Sequence, residues 1–460
     1  MNSIRRILCA LRRDVLRVVA LGLVVAMSAC SGGSSESAAP PLPAATLDSS
    51  FGLGGIVAAP AQSPAPDALV FTIAIQSDGK IVAAGGAATP PSSGFPIVPS
   101  TPVPALLRYN NDGTLDRSFG NAGTYTGPPL GYERIALQSD GKIVALSNTT
   151  VIRLNVDGSP DVTFGAAGTG IVKLGVDDYT YINDLALQSD GRILLAGYHQ
   201  DFVDGVTEFL LIRLTAAGIQ DSSFGQGSGA VLTAINDIAR IWAVAVTADG
   251  WILAAGDARQ NQSDDNNVAL ARYDTNGALD PSFGVGGVAT APMGSTLVKV
   301  NAMTLQPDGR IVVVGTNGIL ADATFVHHFL MLRFLANGAL DPEFGVGGIV
   351  SKSFDPQFDE ASAVAIQSNG KIMAVGYAGP YGHVGSNFLT ARFESSGVPD
   401  PDFGNAGSAL LAVNGGGWGR ALAIQPDGRI VAAGAAIISE TDQGSEFALI
   451  RYVGDPVSGG

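Results

Sequence analysis

The chain has 460 residues, of which 46 % are hydrophobic, enough to fill a sizeable core. With 60 Gly, 25 Pro and little helical periodicity, the composition predicts an all-β protein of short strands joined by turns. The formal net charge of −15 disfavours nucleic acid and anionic lipid surfaces, because like charges repel. We therefore expect no nucleic-acid partner.

Residues 1–29 have the pattern of an export signal. Five Arg precede a short apolar run from Val18 to Met27, and Ser28-Ala29-Cys30 follows. An apolar run of this length behind positive charge is typical of a signal peptide rather than a membrane span. Small residues directly before a Cys resemble a bacterial lipobox, so we expect lipid on Cys30. An ordinary signal cleaved near Ala29 is the alternative.

Cysteine usage agrees with lipidation. The other Cys, Cys9, lies inside the segment that would be removed, so the mature chain has no internal disulfide. Ser31 after the Cys resembles lipoproteins of the outer membrane. We expect a lipid anchor at the cell envelope, at the bacterial outer membrane, with a periplasmic or secreted protein as the alternative. Residues 30–46 are rich in Ser, Gly, Ala and Pro and predict a flexible tether, and residues 454–460 predict a disordered tail.

Between residues 47 and 453 one pattern recurs seven times. Each copy has a Phe-Gly step, a strand that ends in an Asp-Gly or Asn-Gly turn, a strand such as Ile-Val-Ala-Ala-Gly, and a strand that ends in Arg. The period is about sixty residues, which is typical of a repeat array. The Phe-Gly steps begin at Phe51, Phe119, Phe164, Phe224, Phe283, Phe344 and Phe403.

Each copy predicts four short strands, the first of which follows the Phe-Gly step. The Asp-Gly steps predict tight hairpin turns between the second and third strands. We expect these two strands to be buried on both faces and the fourth to be exposed on one side. Seven four-stranded units predict a seven-bladed β-propeller, a ring closed where the N-terminal strand after Leu47 meets the unit that ends at Tyr452.

The connections differ in how constant they are. The hairpin turns and the Phe-Gly passages are uniform, whereas the other two connections of each unit vary. Because antiparallel strands alternate in direction, the uniform connections should lie on one side and the variable loops on the other. Two units depart from the average, one with a Pro-rich insert at 89–104 and one with a short link at 147–150. We expect function on the variable side.

Three stretches resemble the bacterial delta-60 repeat family. They are Leu115-Asp116-Arg-Ser-Phe119-Gly120, Leu279-Asp280-Pro-Ser-Phe283-Gly284 and Gln306-Pro-Asp-Gly-Arg310-Ile-Val. The resemblance covers residues 47–452 and implies a propeller in an exported bacterial protein. It carries no established activity.

An Arg and an Asp recur eight residues apart in six units, as in Arg108 with Asp116 and Arg272 with Asp280. Such spacing at a strand end predicts a repeated Arg–carboxylate contact. In the seventh unit the pair is split, so closure of the ring predicts a contact between Arg451 and Asp48. Asp455 is an alternative partner for Arg451.

Enzyme motifs are scarce. The sequence has no Gly-x-Ser-x-Gly elbow, no His-Glu-x-x-His motif and no phosphate loop, so we assign no catalytic residue and no metal ligand. The variable loops instead hold carboxylates and aromatic rings, a combination that suits sugars, cations or basic peptides. A charged, solvated rim is the alternative. The candidate ligand-binding residues are Asp177, Asp178, Tyr179, Tyr181, Tyr377, His383 and Trp418.

We expect no cofactor. Calcium is the alternative, because residues 110–116 place side-chain oxygens at alternating positions, although 215–221 keep only the last Asp. The sequence thus predicts a monomeric binding or scaffolding module for a protein or glycan ligand. The alternative is a propeller-type enzyme, a metal-dependent hydrolase or lyase at the channel mouth, which would need at least three carboxylates or His to converge there.

Overall fold

The structure is a computed structural model that describes residues 45–59, 67–88, 103–125, 127, 131–261, 265–295, 297–321, 324–380, 385–437 and 444–455. These ranges contain β-strands, no α-helix and one 3-10 helix, Gly225–Gly227. No helix among them is long and apolar enough to cross a membrane. The predicted signal peptide, Cys30, most of the tether, residues 89–102 of the insert and residues 456–460 lie outside them.

The strands are short, as the turn-rich sequence predicts. In chain order they are β1 Ile56–Ala59, β2 Asp67–Ile75, β3 Ile81–Ala88, β4 Val103–Tyr109, β5 Thr124–Tyr125, β6 Arg134–Leu137, β7 Ile143–Ser147, β8 Thr150–Leu154, β9 Ile171–Lys173, β10 Thr180–Leu187, β11 Ile193–Gln200, β12 Thr207–Leu214, β13 Ala230–Thr233, β14 Ile238–Val246, β15 Ile252–Arg259, β16 Asn266–Tyr273, β17 Val288–Ser295, β18 Val298–Leu305, β19 Ile311–Ala321, β20 Thr324–Phe334, β21 Ile349–Lys352, β22 Asp359–Ile366, β23 Ile372–Ala378, β24 Asn387–Phe393, β25 Ser408–Leu411, β26 Gly417–Ile424, β27 Ile430–Ile437 and β28 Ser445–Tyr452.

Antiparallel pairing joins the strands in fours. The groups are β2–β5, β6–β9, β10–β13, β14–β17, β18–β21 and β22–β25, each with its strands in chain order, together with β26-β27-β28-β1. The fourth, outer strand of a group follows a Phe-Gly step, so each outer strand completes the group that precedes it in the chain. In the last group this strand is β1, where Ile56 lies opposite Ile450.

The first strand of each group is the inner strand. The inner strands β2, β6, β10, β14, β18, β22 and β26 each contact the inner strands of the two neighbouring groups, and β26 contacts β2. A cavity of about 450 Å³ lies among three of them, lined by Leu305, Ile366 and Ile424.

Burial differs from two sequence expectations. The Arg-ending strand, predicted to be exposed on one side, is almost wholly buried in β12. It lies between β11 and β13, and both faces of each group pack on neighbouring groups, as where Leu253 and Leu270 share a core with Val300 and Val313. The strand before the Asp-Gly turn, predicted to be buried on both faces, is only half-buried in β10, which lies at the edge of its sheet and, among the described strands, pairs with β11 alone.

Six of the inner strands carry a β-bulge near their first residues. In β14 the pairing with β15 shifts between Ile241 and Ala243, which places Trp242 at the bulge. The bulge brings the Arg240 carbonyl oxygen to 1.8 Å from where a Cβ on Gly256 would stand. This explains why the third strand of the sequence pattern needs Gly, and a bulge turns its side chain away from the regular ladder.

Candidate binding site

The side of the sheets that carries the Asp-Gly hairpin turns is called the turn side, and the opposite side the loop side. On the turn side the strand-ending Arg contacts four other residues. Arg213 Nε donates to Asp221 Oδ2 at 2.8 Å and its Nη2 donates to Ser223 Oγ at 3.0 Å. Its Nη1 donates to the Thr275 carbonyl of the next group, and its guanidinium lies 4.6 Å from the Phe224 ring centroid.

The same contacts recur around the chain. Each strand-ending Arg donates to an Asp and lies over the Phe of the Phe-Gly step, and we call this set the Arg lattice. Its pairs are Arg108–Asp116, Arg153–Asp161, Arg213–Asp221, Arg272–Asp280, Arg333–Asp341, Arg392–Asp400 and Arg451–Asp48. The lattice holds neighbouring groups together, since Arg451 Nη1 also donates to the Asn111 carbonyl.

Most of the lattice carboxylates also contact a second cation, a Lys or Arg that follows the hairpin turn. Lys80 Nζ lies 2.9 Å from Asp116 Oδ2, and Arg429 Nε lies 2.8 Å from Asp48 Oδ2. Near Asp280 the corresponding residue is Trp251, whose ring lies 5.2 Å from the Arg272 guanidinium. Asp455, the alternative partner for Arg451, accepts from Arg392 Nη1 at 2.9 Å instead.

These contacts hold the carboxylates ionised. Desolvation opposes ionisation of Asp116, but hydrogen bonds from Ser118 and Lys80 and the charge of Arg108 outweigh it and keep the pKa of this carboxyl well below its usual value. The pKa values of the other lattice carboxyls are lowered in the same way. The polar groups of the turn side are thus used to hold the fold.

On the loop side the structure brings some candidate residues together and separates others. Tyr179 and Tyr181 are 50 % and 39 % exposed, and Asp178 is exposed beside them. Asp177 accepts hydrogen bonds from Thr180 and lies 3.1 Å from His199 Nε2. Trp418 is half-buried in β26, apart from these residues, and His383 lies outside the described residues.

The structure corrects the expectation for Tyr377. This residue lies in β23, is 2 % exposed and stacks on Phe358 with the ring centroids 5.2 Å apart. Its ring is therefore part of the core. Nearby, Arg420 Nη1 donates to the buried Glu360 carboxylate at 3.2 Å. His327 also stacks on Phe358, with the ring centroids 4.2 Å apart. Burial lowers the pKa of His327, and the nearby charge of Glu360 opposes this shift.

Aromatic rings meet where the loop ends of β10, β11 and β14 adjoin. Tyr181 stacks on Tyr198 with the centroids 4.8 Å apart and an interplanar angle of 20°. Tyr198 lies 6.1 Å from Trp242, the bulge residue. Tyr179 packs edge-on against Phe202 at 4.9 Å, and Phe202 is 61 % exposed.

Charged groups adjoin these rings. Asp257 is 3 % exposed and accepts a hydrogen bond from Trp242 Nε1. The Arg240 guanidinium lies 5.5 Å from the Tyr198 centroid, and Lys299 Nζ lies 5.9 Å from that of Trp242. We call Tyr181, Tyr198, Trp242, Asp257, Arg240 and Lys299 the aromatic site.

Burial raises the pKa of Asp257, against the hydrogen bond from Trp242 and the charges of Arg240, Arg259 and Lys299, which lower it. Of the residues in the aromatic site, Tyr181 was named as a candidate from the sequence, but the others were not. These lie within strands rather than loops, and a polar residue inside the apolar run 252–258 was the signal that could have revealed Asp257. In the part of the chain that the structure describes, no group of three or more His, Cys, Asp or Glu is placed to hold a metal ion.

Four-stranded antiparallel sheets whose inner strands contact one another side by side define a β-propeller fold. The sequence agrees, since it carries repeats that match a β-propeller family model described as a domain of unknown function, DUF5122. The matched residues are 100–119, 138–164, 188–224, 247–283, 306–344, 367–403 and 425–453. The β-propeller repeat expected from the sequence is thus confirmed, whereas the delta-60 name stays an expectation.

Solved structures that match this chain have very different sequences. A catalytically inactive virginiamycin B lyase from Staphylococcus aureus with quinupristin is 10 % identical, with a TM-score of 0.46 over 86 % of this chain and 98 % of that one. The polysaccharide lyase Uly1 is 12 % identical, with a TM-score of 0.46 over 85 % and 91 %. No curated protein matches the sequence. The activities in these names are those proteins' own.

Proposed function

We propose that this chain is a closed, seven-bladed β-propeller that is exported, anchored to the cell envelope through lipid on Cys30, and used as a binding module for glycans through its loop side. The observation that carries the binding proposal is the aromatic site. Three adjoining rings, of which Tyr181 is exposed, with a buried carboxylate and cations beside them, combine apolar faces with hydrogen-bonding groups, as ligand sites do.

Closure is supported by contacts between the two ends of the described chain. Strand β1 pairs with β28, β26 contacts β2, and Arg451 donates to the Asn111 carbonyl, as its counterparts do to the following group. Gly52 N also donates to the Asp112 carbonyl at 2.8 Å, just as Gly225 N donates to that of Asn276 at 2.9 Å. The junction thus has the same bonds as an internal boundary.

The loop side is the better candidate for binding because the turn side is engaged in the Arg lattice. A ligand on the turn side would compete with buried ion pairs such as Arg213–Asp221. On the loop side exposed apolar residues also adjoin aromatic rings, with Val203 92 % and Phe202 61 % exposed beside Tyr179. Exposed apolar groups gathered at one place are typical of an interaction surface.

A binding screen tests this function. The full chain is offered to a glycan array and to a panel of envelope proteins, and binding is compared with that of Tyr181→Ala and Trp418→Ala. We expect glycan binding that Tyr181→Ala weakens at least tenfold and that Trp418→Ala, a ring outside the aromatic site, leaves unchanged. Binding of proteins alone, or glycan binding that is indifferent to Tyr181, would contradict the proposal.

Anchoring has a separate test. The wild type and Cys30→Ala are expressed in a Gram-negative host and fractionated. The wild type is expected in the membrane fraction with a lipid-sized mass increase on its N-terminal peptide, and Cys30→Ala in the soluble fraction. A wild type without lipid, or a variant that stays in the membrane fraction, would refute the anchor.

A further inference from the structure

We infer that the glycan bound by the aromatic site is acidic, carrying carboxylate or sulfate groups; this inference rests on the proposed function. The sequence pointed the other way, since the loops are rich in Asp and the whole chain has a net charge of −15. The structure nevertheless places cations beside the rings. Arg240, Arg259 and Lys299 all act on Asp257, the carboxylate that the site itself contains.

The charges of the site do not balance. Its two cations, Arg240 and Lys299, outnumber its one carboxylate, Asp257, which is buried and already accepts a hydrogen bond from Trp242. The Nε atoms of Arg240 and Arg259 are buried and have no hydrogen-bond partner among the described residues. A buried charged donor without a partner costs free energy, so a ligand acceptor at this place would be favoured.

The cations and the rings are arranged so that one ligand can reach both. Arg240 covers Tyr198, and Lys299, which is exposed, reaches over Trp242 from the next inner strand. The carboxylates of the neighbouring loop lie at the Tyr181 end of the site. There Asp177 accepts a hydrogen bond from Thr180 and contacts His199. An acidic group is therefore expected at the Trp242 end, with a neutral sugar ring on Tyr181.

A short acidic glycan fits these observations better than nucleic acid does. A single strand of nucleic acid is held by a positive groove that follows its backbone over several nucleotides. Here Arg240 and Lys299 lie beside one group of rings, on a chain whose overall charge repels a long polyanion. A sugar that carries one acidic group can be bound by a single cation together with the face of one aromatic side chain.

The test uses isothermal titration calorimetry on the full chain with matched probes. The acidic probes are oligogalacturonate, oligoguluronate and a chondroitin sulfate hexasaccharide; the neutral probe is carboxyl-reduced oligogalacturonate, and a poly-dT oligonucleotide is included. The variants are Arg240→Gln and Lys299→Gln, and Lys173→Gln removes an exposed positive charge of β9 as a control. Lys299 is exposed, so its variant is expected to fold even where Arg240→Gln does not.

At least one acidic probe is expected to bind at least tenfold more tightly than the neutral probe. Lys299→Gln should raise its Kd about tenfold, whereas Lys173→Gln should change it less than twofold. Equal binding of acidic and neutral probes would overturn the inference and leave the proposed function standing. Binding of none of the glycans would overturn both, and tighter binding of poly-dT than of every glycan would replace the glycan by nucleic acid.

Discussion

Arg451 and Asp48, which are 403 residues apart in the chain, make the same contact as Arg213 and Asp221, which are 8 residues apart. In both pairs the Nε–Oδ2 distance is 2.8 Å, and in both a Ser hydroxyl donates to the carboxylate. The carboxylate also contacts a second Arg in each case, Arg429 for Asp48 and Arg192 for Asp221. The split pair is thus a copy of an internal one.

This correspondence provides a matched pair of substitutions. Asp48→Asn and Asp221→Asn each remove one buried charge from the same set of donors, so each should lower the free energy of unfolding by roughly 2 kcal/mol. Urea denaturation measures the change. Asp48→Asn should also speed proteolysis of the segment that holds β1, because this segment is joined to the last group only by the junction. A neutral Asp48→Asn beside a destabilising Asp221→Asn would contradict a structural role for the junction.

Acid should unfold the protein through the Arg lattice. The folded pKa of each of the lattice carboxyls is lowered, so these groups contribute stability above the unfolded pKa of about 3.9 and lose it as the pH falls through that value towards the folded one. The free energy of unfolding, measured by urea titration from pH 7 to pH 2, should therefore fall below about pH 4.

The carboxyl of Asp116 isolates one contribution to this acid sensitivity. The difference in the free energy of unfolding between the wild type and Asp116→Asn should narrow as the pH falls. Protonation removes the negative charge of Asp116 from the wild type, and the variant lacks this charge at every pH. Asp178→Asn, which changes an exposed carboxyl outside the lattice, is the control. A difference for Asp116→Asn that stays constant down to pH 2 would refute the lattice as the acid-sensitive element.

Gly205 and Gly218 share a positive φ but differ in their surroundings. A Cβ on Gly218 (φ 80°) would stand 2.6 Å from Phe164, whereas one on Gly205 (φ 73°) would meet nothing within 4 Å. Gly205→Ala should cost about 1 kcal/mol of backbone strain, and Gly218→Ala roughly 3 kcal/mol because a clash is added. Thermal and urea unfolding of the two variants measure these losses in the free energy of unfolding. Equal losses would show that the positive φ alone, and not the clash with Phe164, determines the cost.

The rings of the loop side should separate binding from stability. Tyr181 is 39 % exposed and Tyr377 is 2 % exposed. Tyr181→Ala should weaken glycan binding and change the free energy of unfolding by less than about 1 kcal/mol, whereas Tyr377→Ala should cost roughly 3 kcal/mol, as for other large-to-small core changes. Calorimetric titration and urea denaturation of both variants measure the two effects. A stable Tyr377→Ala variant with impaired binding would reverse the assignment.

Local signals in the sequence predicted the repeat, the hairpin turns and the Arg–Asp spacing, because each depends on residues close together in the chain. The Asp-Gly step at 190–191 is one example, since it forms the β10–β11 turn. Pattern alone could not tell which strand of a group is innermost. Burial of β12 depends on neighbouring groups that lie about sixty residues away in the sequence. The pattern of apolar and polar residues within one strand does not show whether such groups cover it.

The binding site was predicted in part for the same reason. Tyr179 and Tyr181 were found because they follow a variable loop, and Tyr377 was misplaced because its position next to another loop does not show that Phe358 covers it. Arg240 and Lys299 come together only when β14 and β18 lie side by side. Sequence separation hides such contacts between groups.

In the proposed ring the pairing of β1 with β28 joins the two ends of the described chain. Ala58 and Ala448 lie opposite each other in β1 and β28, and Ala269 and Thr290 do so at the corresponding position of β16 and β17. Residues opposite each other in antiparallel strands lie close enough for a disulfide. The measurement compares the Ala58→Cys/Ala448→Cys and Ala269→Cys/Thr290→Cys double variants, with the two native Cys replaced by Ser.

After mild oxidation of the folded, dilute protein, peptide mass mapping quantifies the bridges. If the ring is closed, both pairs are expected to form intramolecular disulfides to a similar extent. An internal pair that closes, beside a terminal pair that stays reduced or links two molecules, would contradict the closed ring.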